Sequence, residues 1–403
     1  MNRDDLAGFR TDWTRFLRRF DSCESDRATR DNFKIYMEGL ISELPRKNCE
    51  AMALAASVPV RSLQWFLSTM DWDHRRMRDK LQKIVAKEHA GRHSVGVIDE
   101  TSDVKKGMMT PGVQRQYLGC VGKQENGIVT VHLAYAVGNF HTLVDQDLFL
   151  PESWSEDRER CRKAGIPDDV VYRPKWEIAL EQYDRAVKNG VVFEYLTFDE
   201  GYGGKPEFLR QLDARNQLFI GEVGCEFYGW TKWPRGASSP KKQGRTRSGK
   251  RRWKTIPVKN MLTHSPCLRD QPWVQYYIKE SGSGPVIWEV KQTTIHIREK
   301  NDGPPLAKPF RLIVARNVMN EKEEEIKYFV SNASAETSLD DLLLAAFTRW
   351  RIERSFQDTK QLLGLGHYEG RNYTGLIRHL LLCSLSYYFL QTQVLKLSKK
   401  TRK

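Results

Sequence analysis

Long apolar runs are missing from this sequence. The longest, Leu380–Leu390, contains two serines and is too short to cross a bilayer, which excludes a helical membrane protein. No secretory leader is expected either, because charge begins at the third residue. Cysteine is scarce: the seven are scattered and none forms a CxxC pair, which excludes a disulfide framework or a zinc ribbon and fits a reducing, cytoplasmic setting. The nine histidines form no metal-ligand pattern; His89 and His93 stand four apart with no third ligand near them in sequence. No internal repeat is evident. Acid is short relative to base, 51 residues against 65, so the 403-residue chain carries a net charge of +14. Such an excess predicts a polyanionic partner, nucleic acid ahead of an anionic membrane. With 40% apolar and 29% charged residues, the composition is globular, and the length suggests two or three domains with a sizeable core.

What is present divides along the chain. Residues 1–90 read as helical, with Phe9, Trp13, Phe16, Leu17 and Phe20 at helical spacing. Within them, Asn48–Ser68 reads as two helices around a break at Ser57–Pro59, a helix-turn-helix pattern with Arg61, Gln64 and Trp65 as exposed candidates for a major groove. The same spacing suits an ordinary helical hairpin. Near His93 the period becomes strand-like. Val95–Ile98 ends in Asp99, and Gln116–Val121 and Ile128–Val137 follow, suggesting an antiparallel meander. A loop is expected around Leu150, Pro151 and Trp154. Trp176–Asn189 reads as a helix. Val191–Phe198 is a strand ending in Asp199, and a helix at Lys205–Arg215 and a strand at Leu218–Val223 complete a β-α-β unit. Residues 225–325 read as a mainly β insertion, with strands at Val286–Thr294, Ile295–Arg298, Phe310–Ala315 and, just beyond, Ile326–Ser331. A helix is expected over Ser338–Leu363, ended by Gly364 and Gly366, and a largely apolar last helix over 375–396.

Three carboxylates stand out. Asp99 and Asp199 each close an apolar run, and a carboxylate at the end of a buried strand is costly unless something pairs with it. A hard divalent cation is one such partner; a simple turn is another reading. The third lies in Arg349–Lys360, RWRIERSFQDTK, where Arg349, Glu353 and Lys360 fall within about 60° on one helix face. Such a stripe could hold a metal through Glu353 and phosphates through Arg349 and Lys360. It also suits a solvated face with an i,i+4 ion pair.

In this order, strand–Asp, strand–Asp and helix–Glu in a basic chain, the sequence resembles the DDE-superfamily transposases of bacterial insertion sequences. The resembling segments are VIDETSDVKKG (97–107), QYLGCVGK (116–123), LTFDEGYGGKPEFLRQL (196–212) and RWRIERSFQDTKQLLGLGHYEGRNYTGLIRH (349–379), and the similarity runs from about 45 to 395. The family's last signature is Tyr, two residues, Arg, three residues, Glu, six residues, Lys. This chain matches it at Arg349, Glu353 and Lys360 but has Ala346 at the Tyr position, with Phe347 beside it. The resemblance implies an α/β fold: an RNase H-like catalytic core with a mixed sheet at 91–224 and 326–403. That core is interrupted by a mainly β insertion domain at 225–325 and preceded by a helical N-terminal DNA-binding domain at 1–90. It also implies DNA cleavage to free 3′-OH ends and their joining to target DNA. Two Mg²⁺ ions, with Mn²⁺ as a substitute, would be held by Asp99, Asp199 and Glu353, with Asp99 bridging both. Glu100, Asp103 and Glu200 are neighbouring alternatives; the resemblance selects Asp99 and Asp199. The implied partners are double-stranded DNA, both terminal inverted repeats and target, and a second copy of the chain on paired ends, with no membrane. The implied location is the bacterial cytoplasm, at the nucleoid.

The basic segment adds a compositional signal. Phe227–Arg269 holds 12 Lys or Arg residues and no acid. Lys241, Lys242, Arg245, Arg247, Lys250, Arg251, Arg252 and Lys254 form its centre and are expected to track DNA phosphates, with Trp230, Trp233 and Trp253 as stacking groups. Lys105 and Lys106 are candidates for touching the scissile strand, and the tail KLSKKTRK (396–403) is a second phosphate contact. Two other readings fit the same residues: a catalytically silent, domesticated DNA-binding protein and a nuclease of this fold that cuts without joining.

Overall fold

The computed structural model describes residues 3–234, 255–281, 284–298, 304–319 and 325–401. Five helices come first: α1 (Arg3–Arg18), α2 (Arg27–Ile41), α3 (Cys49–Ala55), α4 (Val60–Ser68) and α5 (His74–Glu88). Four strands follow: β1 (Val95–Val104), β2 (Gln114–Leu118), β3 (Lys123–Val137) and β4 (Phe140–Leu148). Next come α6 (Glu152–Ser155), α7 (Arg158–Lys163), α8 (Lys175–Lys188), β5 (Tyr195–Phe198), α9 (Glu200–Gly203), α10 (Pro206–Ala214) and β6 (Phe219–Val223). The chain continues through β7 (Tyr228–Gly229), β8 (Ile256–Pro257), α11 (Val258–His264), α12 (Pro266–Arg269), β9 (Val274–Ser281), β10 (Gly284–Ile295), β11 (Phe310–Asn317) and β12 (Ile326–Ser331). It ends with α13 (Leu339–Phe347), α14 (Trp350–Leu363) and α15 (Tyr373–Thr401). Two compact units result, one from Met1–Val192 with Trp350–Lys403, the other from Phe193–Arg349.

In the first unit β3 is the central strand. It pairs antiparallel with β1 along one edge and with β2 and then β4 along the other. The expected meander is therefore corrected: β1 and β2 are not neighbours. The nine-residue link Lys105–Val113 is long enough to carry the chain past the end of β3, where a tight turn would have kept the two strands side by side. A further correction concerns β1, which runs on past Asp99, because Glu100–Val104 pair with Gly127–Val131 through main-chain groups that do not depend on side-chain polarity. Strand β4, to which the sequence reading assigned no element, is buried almost throughout, so it lacks the alternation that marks a half-exposed strand.

Local chemistry starts the helices. Asp26, Asn48 and Asp73 each accept a backbone N–H three residues on, at 2.7, 2.9 and 2.8 Å, as N-caps do. Ser57 takes a left-handed φ of 55° between α3 and α4, so the chain breaks between two helices where the sequence reading placed the break. Apolar α15 is the spine of this unit. Phe389 meets Phe9, Trp13 and Phe16 of α1 at 5.2, 4.7 and 5.4 Å between ring centroids.

The second unit is a mixed sheet. β5 and β6 are parallel, as the β-α-β reading requires, and β12, β11, β10 and β9 add antiparallel in that order beyond β6. The α/β class with mixed pairing and a helical N-terminal region agrees with the RNase H-like expectation. One helix expected over Ser338–Leu363 is two. The break at Thr348–Arg349 falls where the chain leaves the second unit for the first. Thr348 Oγ1 caps the end of α13 on the Leu344 carbonyl at 2.7 Å, while Trp288 and Phe329 hold the Phe347 ring at 4.8 and 6.0 Å.

Candidate active site and nucleic-acid interface

In the first unit Asp99 lies in mid-strand, 9% exposed, with Oδ1 accepting the Glu100 N–H at 2.7 Å. It stands opposite His132 of β3, and directly opposed residues share a face. His132 is wholly buried, and its ring meets Phe356 of α14 edge-on at 5.1 Å. Helix α14 therefore covers the face that carries Asp99, and exposed Glu353 sits one turn before Phe356. His132 Nδ1 has no hydrogen-bond partner. Burial, with Lys360 adding to it, pushes the His132 pKa down to about 3, so the ring is neutral.

The competing acids of β1 are occupied. Glu100 pairs with Lys175, and Asp103 pairs with Lys360 at 3.3 Å. Lys360 also donates to the Ser102 carbonyl at 2.7 Å, so this lysine ties α14 to β1. Lys105 donates to the carbonyls of Gly366 and Tyr368 at 3.2 and 2.9 Å, and burial lowers its pKa. Lys106 beside it is exposed. Gly364 ends α14 with φ 67°; a Cβ there would meet His367 Nδ1 at 2.7 Å.

Arg61, Gln64 and Trp65 are all exposed on α4, and the Arg61 guanidinium lies 4.8 Å from the Trp65 ring centroid. What holds α4 in place is a residue of the resembling segment 349–379 to which the sequence reading gave no role. Arg378 of α15 donates to the carbonyls of Phe66, Leu67, Met70 and Trp72 at 3.2, 3.1, 2.9 and 2.8 Å. Burial pushes its pKa down to about 10, still charged at neutral pH, where a cation suits a helix C-terminus. No sequence signal could have found this, because its partners are main-chain oxygens.

In the second unit Asp199 follows β5 directly and caps α9, with Oδ1 accepting the N–H groups of Gly201 and Tyr202 at 3.0 and 3.3 Å. Gly203 brings α9 hard against β6: a Cβ there would lie 1.9 Å from the Glu222 carbonyl oxygen. Glu200, exposed, lines a cavity of about 410 Å³ with Glu226 and Arg298. Arg349 stands in the turn after α13, not on α14, with Nε 3.8 Å from Glu222. Of the aromatic candidates, Trp230 is buried and Trp233 exposed, its ring 5.2 Å from His296. Lys241, Lys242, Arg245, Arg247, Lys250, Arg251, Arg252, Trp253 and Lys254 lie outside the described residues.

The three carboxylates are hard oxygen donors of the type Mg²⁺ takes. Among the described residues, no three His, Cys, Asp or Glu side chains are gathered into a group able to hold a metal ion. A metal centre is thus supported by donor chemistry alone. No helix among the described residues is long and apolar enough to cross a membrane.

A family model described as DDE superfamily endonuclease matches residues 18–281. The chain belongs to that family. As a DDE superfamily endonuclease it carries both aspartates, Asp99 on β1 and Asp199 just after β5, inside the match, while Glu353 lies beyond its end. The resemblance drawn from the motifs is borne out by this match. The chain is also similar to a probable transposase for insertion sequence element IS701 from Microchaete diplosiphon, 32% identical over 201 residues, which is 49% of this chain and 49% of the relative. It spans about half the length of that curated relative.

Proposed function

We propose that this chain is an insertion-sequence transposase. It binds the terminal inverted repeats of its element, cuts DNA to free 3′-OH ends and joins them to target DNA, acting at the nucleoid in the bacterial cytoplasm as a homodimer on paired ends. The observation that carries the reading is membership of the DDE superfamily endonuclease family, with Asp99 and Asp199 inside the matched residues. The similarity to a probable transposase over half of each chain supports it. Asp99, Asp199 and Glu353 are the carboxylates proposed to hold Mg²⁺, which when bound would favour an oxygen nucleophile and stabilise the leaving oxygen. In the first step water attacks phosphorus, the P–O3′ bond breaks and a 3′-OH is freed. In the second that hydroxyl attacks a target phosphodiester, forms a new P–O bond and releases the target 3′-oxygen.

Residues of this chain supply position and charge. Arg61 and Gln64 on α4 are proposed to meet a groove, with Arg349, Lys360, Lys105, Lys106 and the 241–254 segment set against phosphates. Lys360 and Lys105 do so while anchoring α14 and the segment after it to β1.

The test uses duplexes taken from the DNA flanking the reading frame, with Mg²⁺. Wild type is expected to cut and join. Glu353→Gln is expected to bind equally and to lose both steps by more than about 100-fold, the scale of losing one group that stabilises transition-state charge. Equal cutting by both proteins would remove Glu353 from the site. Cutting without joining marks a nuclease, and tight binding without cutting marks a silent binding protein.

A further inference from the structure

Two cavities of the first unit share a wall made by the segment after Gly364. One, of about 490 Å³, opens between the link that follows β1 and Gly366–Arg371. Its lining holds four cations, Arg46, Lys105, Lys106 and Arg371, against one carboxylate, Glu369. The other, of about 400 Å³, shares Tyr368, Glu369 and Arg371 and reaches Gln64 and Ser68 of α4. The charged lining of this second cavity is Glu50, Glu369 and Arg371, so the cationic excess belongs to the first cavity, beside the strand that bears Asp99.

Both sides of this cleft are fixed. Asn126 Nδ2 donates to the carbonyls of Lys105 and Gly107, and Arg160 donates to the Met108 carbonyl at 2.8 Å. Arg160 is itself stacked on Trp154, 3.7 Å from the ring centroid. Opposite, Arg46 Nε and Asn48 Nδ2 each reach the Glu369 carboxylate at 2.8 Å. Lys105 bridges the two sides through its carbonyl contacts. Two of its N–H donors are used there, and an ammonium has three. The one acid in the lining is already neutralised by Arg46. Exposed Met108 and Met109 add an apolar surface beside the cations, as a nucleotide needs for its sugar and base.

We infer that this cleft is a binding site for the phosphodiester backbone of one DNA strand, and that Arg46, Lys106 and Arg371 contact its phosphates. The inference rests on the reading of the chain as a DNA-processing enzyme and adds where a strand lies beside β1, which bears Asp99. Because phosphate contacts are sequence-independent, a fluorescein-labelled duplex of mixed sequence is a sufficient probe.

The experiment measures its affinity for the full chain by anisotropy between about 50 and 200 mM salt. Lys106→Gln combined with Arg371→Gln removes two exposed cations without touching the Arg46–Glu369 pair. That variant is expected to keep the wild-type melting temperature and to lower the slope of log affinity on log salt by about two, at roughly 0.9 per phosphate contact. Lys83→Gln with Lys188→Gln, exposed on α5 and α8 and outside the lining, is the charge-matched control and is expected to leave the slope unchanged. An unchanged slope in the cleft variant overturns the inference while leaving DNA binding intact. An equal loss in the control overturns it too, since net charge alone would then act. No binding by wild type overturns both the inference and the proposed function.

Discussion

His379 is wholly buried, with both ring nitrogens engaged. Nδ1 lies 2.8 Å from the Tyr36 hydroxyl, and Nε2 lies 3.1 and 3.2 Å from the carbonyls of Gly364 and Leu365. Carbonyls only accept, so Nε2 carries the proton and Nδ1 accepts from Tyr36. Burial pushes its pKa down to about 4, and the positive charges of Lys105 and His367 push the same way. Tyr36 and Cys383, which also face the ring, are pushed up by burial and stay neutral. The unfolded chain binds this proton below about pH 6.5 and the folded chain does not. Stability from this group is therefore complete above about pH 6.5 and is lost as pH falls toward 4. His379→Gln should remove a part of the acid sensitivity on the order of 3 kcal/mol, read as the difference in urea-unfolding free energy between pH 7 and pH 4.5. An identical pH dependence in the two proteins would sink the assignment. His379 ends the resembling segment 349–379, yet nothing there hints at this clamp, because two of its partners are main-chain oxygens.

Elements were legible where one face meets solvent. Helix α8 and the pair α3–α4 announce themselves by period, and Gly364 marks the end of α14. Strand β4 was hidden because helices cover it and Asp145 is wholly buried within it, held by Arg185 at 2.9 and 3.1 Å and Gln82 at 3.0 Å. The break before α14 was hidden as well: no Gly or Pro marks it, and tertiary contacts of Phe347 decide it. Of the candidate active site, Asp99 and Glu353 could be named from spacing and resemblance, whereas the engagement of Glu100 by Lys175 and Asp103 by Lys360 could not. Helix α4 depends on a contact of the same unmarked kind. Arg378→Leu removes the guanidinium donor from four carbonyls around the C-terminus of α4. Those of Phe66 and Trp72 keep Trp72 Nε1 at 2.7 Å and the His74 N–H at 3.1 Å, while for Leu67 and Met70 a buried acceptor that loses its partner costs about 1–3 kcal/mol less whatever water can recover. The expected outcome is faster amide exchange in α4 and the Met70–Trp72 segment, with α8 little changed, and weaker duplex binding. Uniform acceleration across both helices would mean that Arg378 serves global stability and not the placement of α4.

At the scale of the whole molecule, charge is distributed unevenly. Residues 235–254 hold nine Lys or Arg and no acid, so replacing them takes the formal charge from +14 to +5. The described residues on either side are already joined, since β7 and β8 pair through Tyr228 with Pro257 and Gly229 with Ile256. A short Gly-Ser replacement of residues 235–254 should therefore leave the melting temperature close to wild type, because the described residues on either side stay paired. Its effect belongs to binding. Each phosphate left without its cation should lower the log–log salt slope by roughly 0.9, so even half of the nine would take away about four units. Anisotropy titrations with the mixed-sequence duplex across salt read this directly. A slope within error of wild type would show that these nine charges serve solubility and that DNA is held by the helical region and the cleft beside β1. A large loss of slope with cleavage preserved at low salt would separate the two roles: long-range capture of the polyanion by residues 235–254, and alignment of the strand by groups fixed on the folded scaffold.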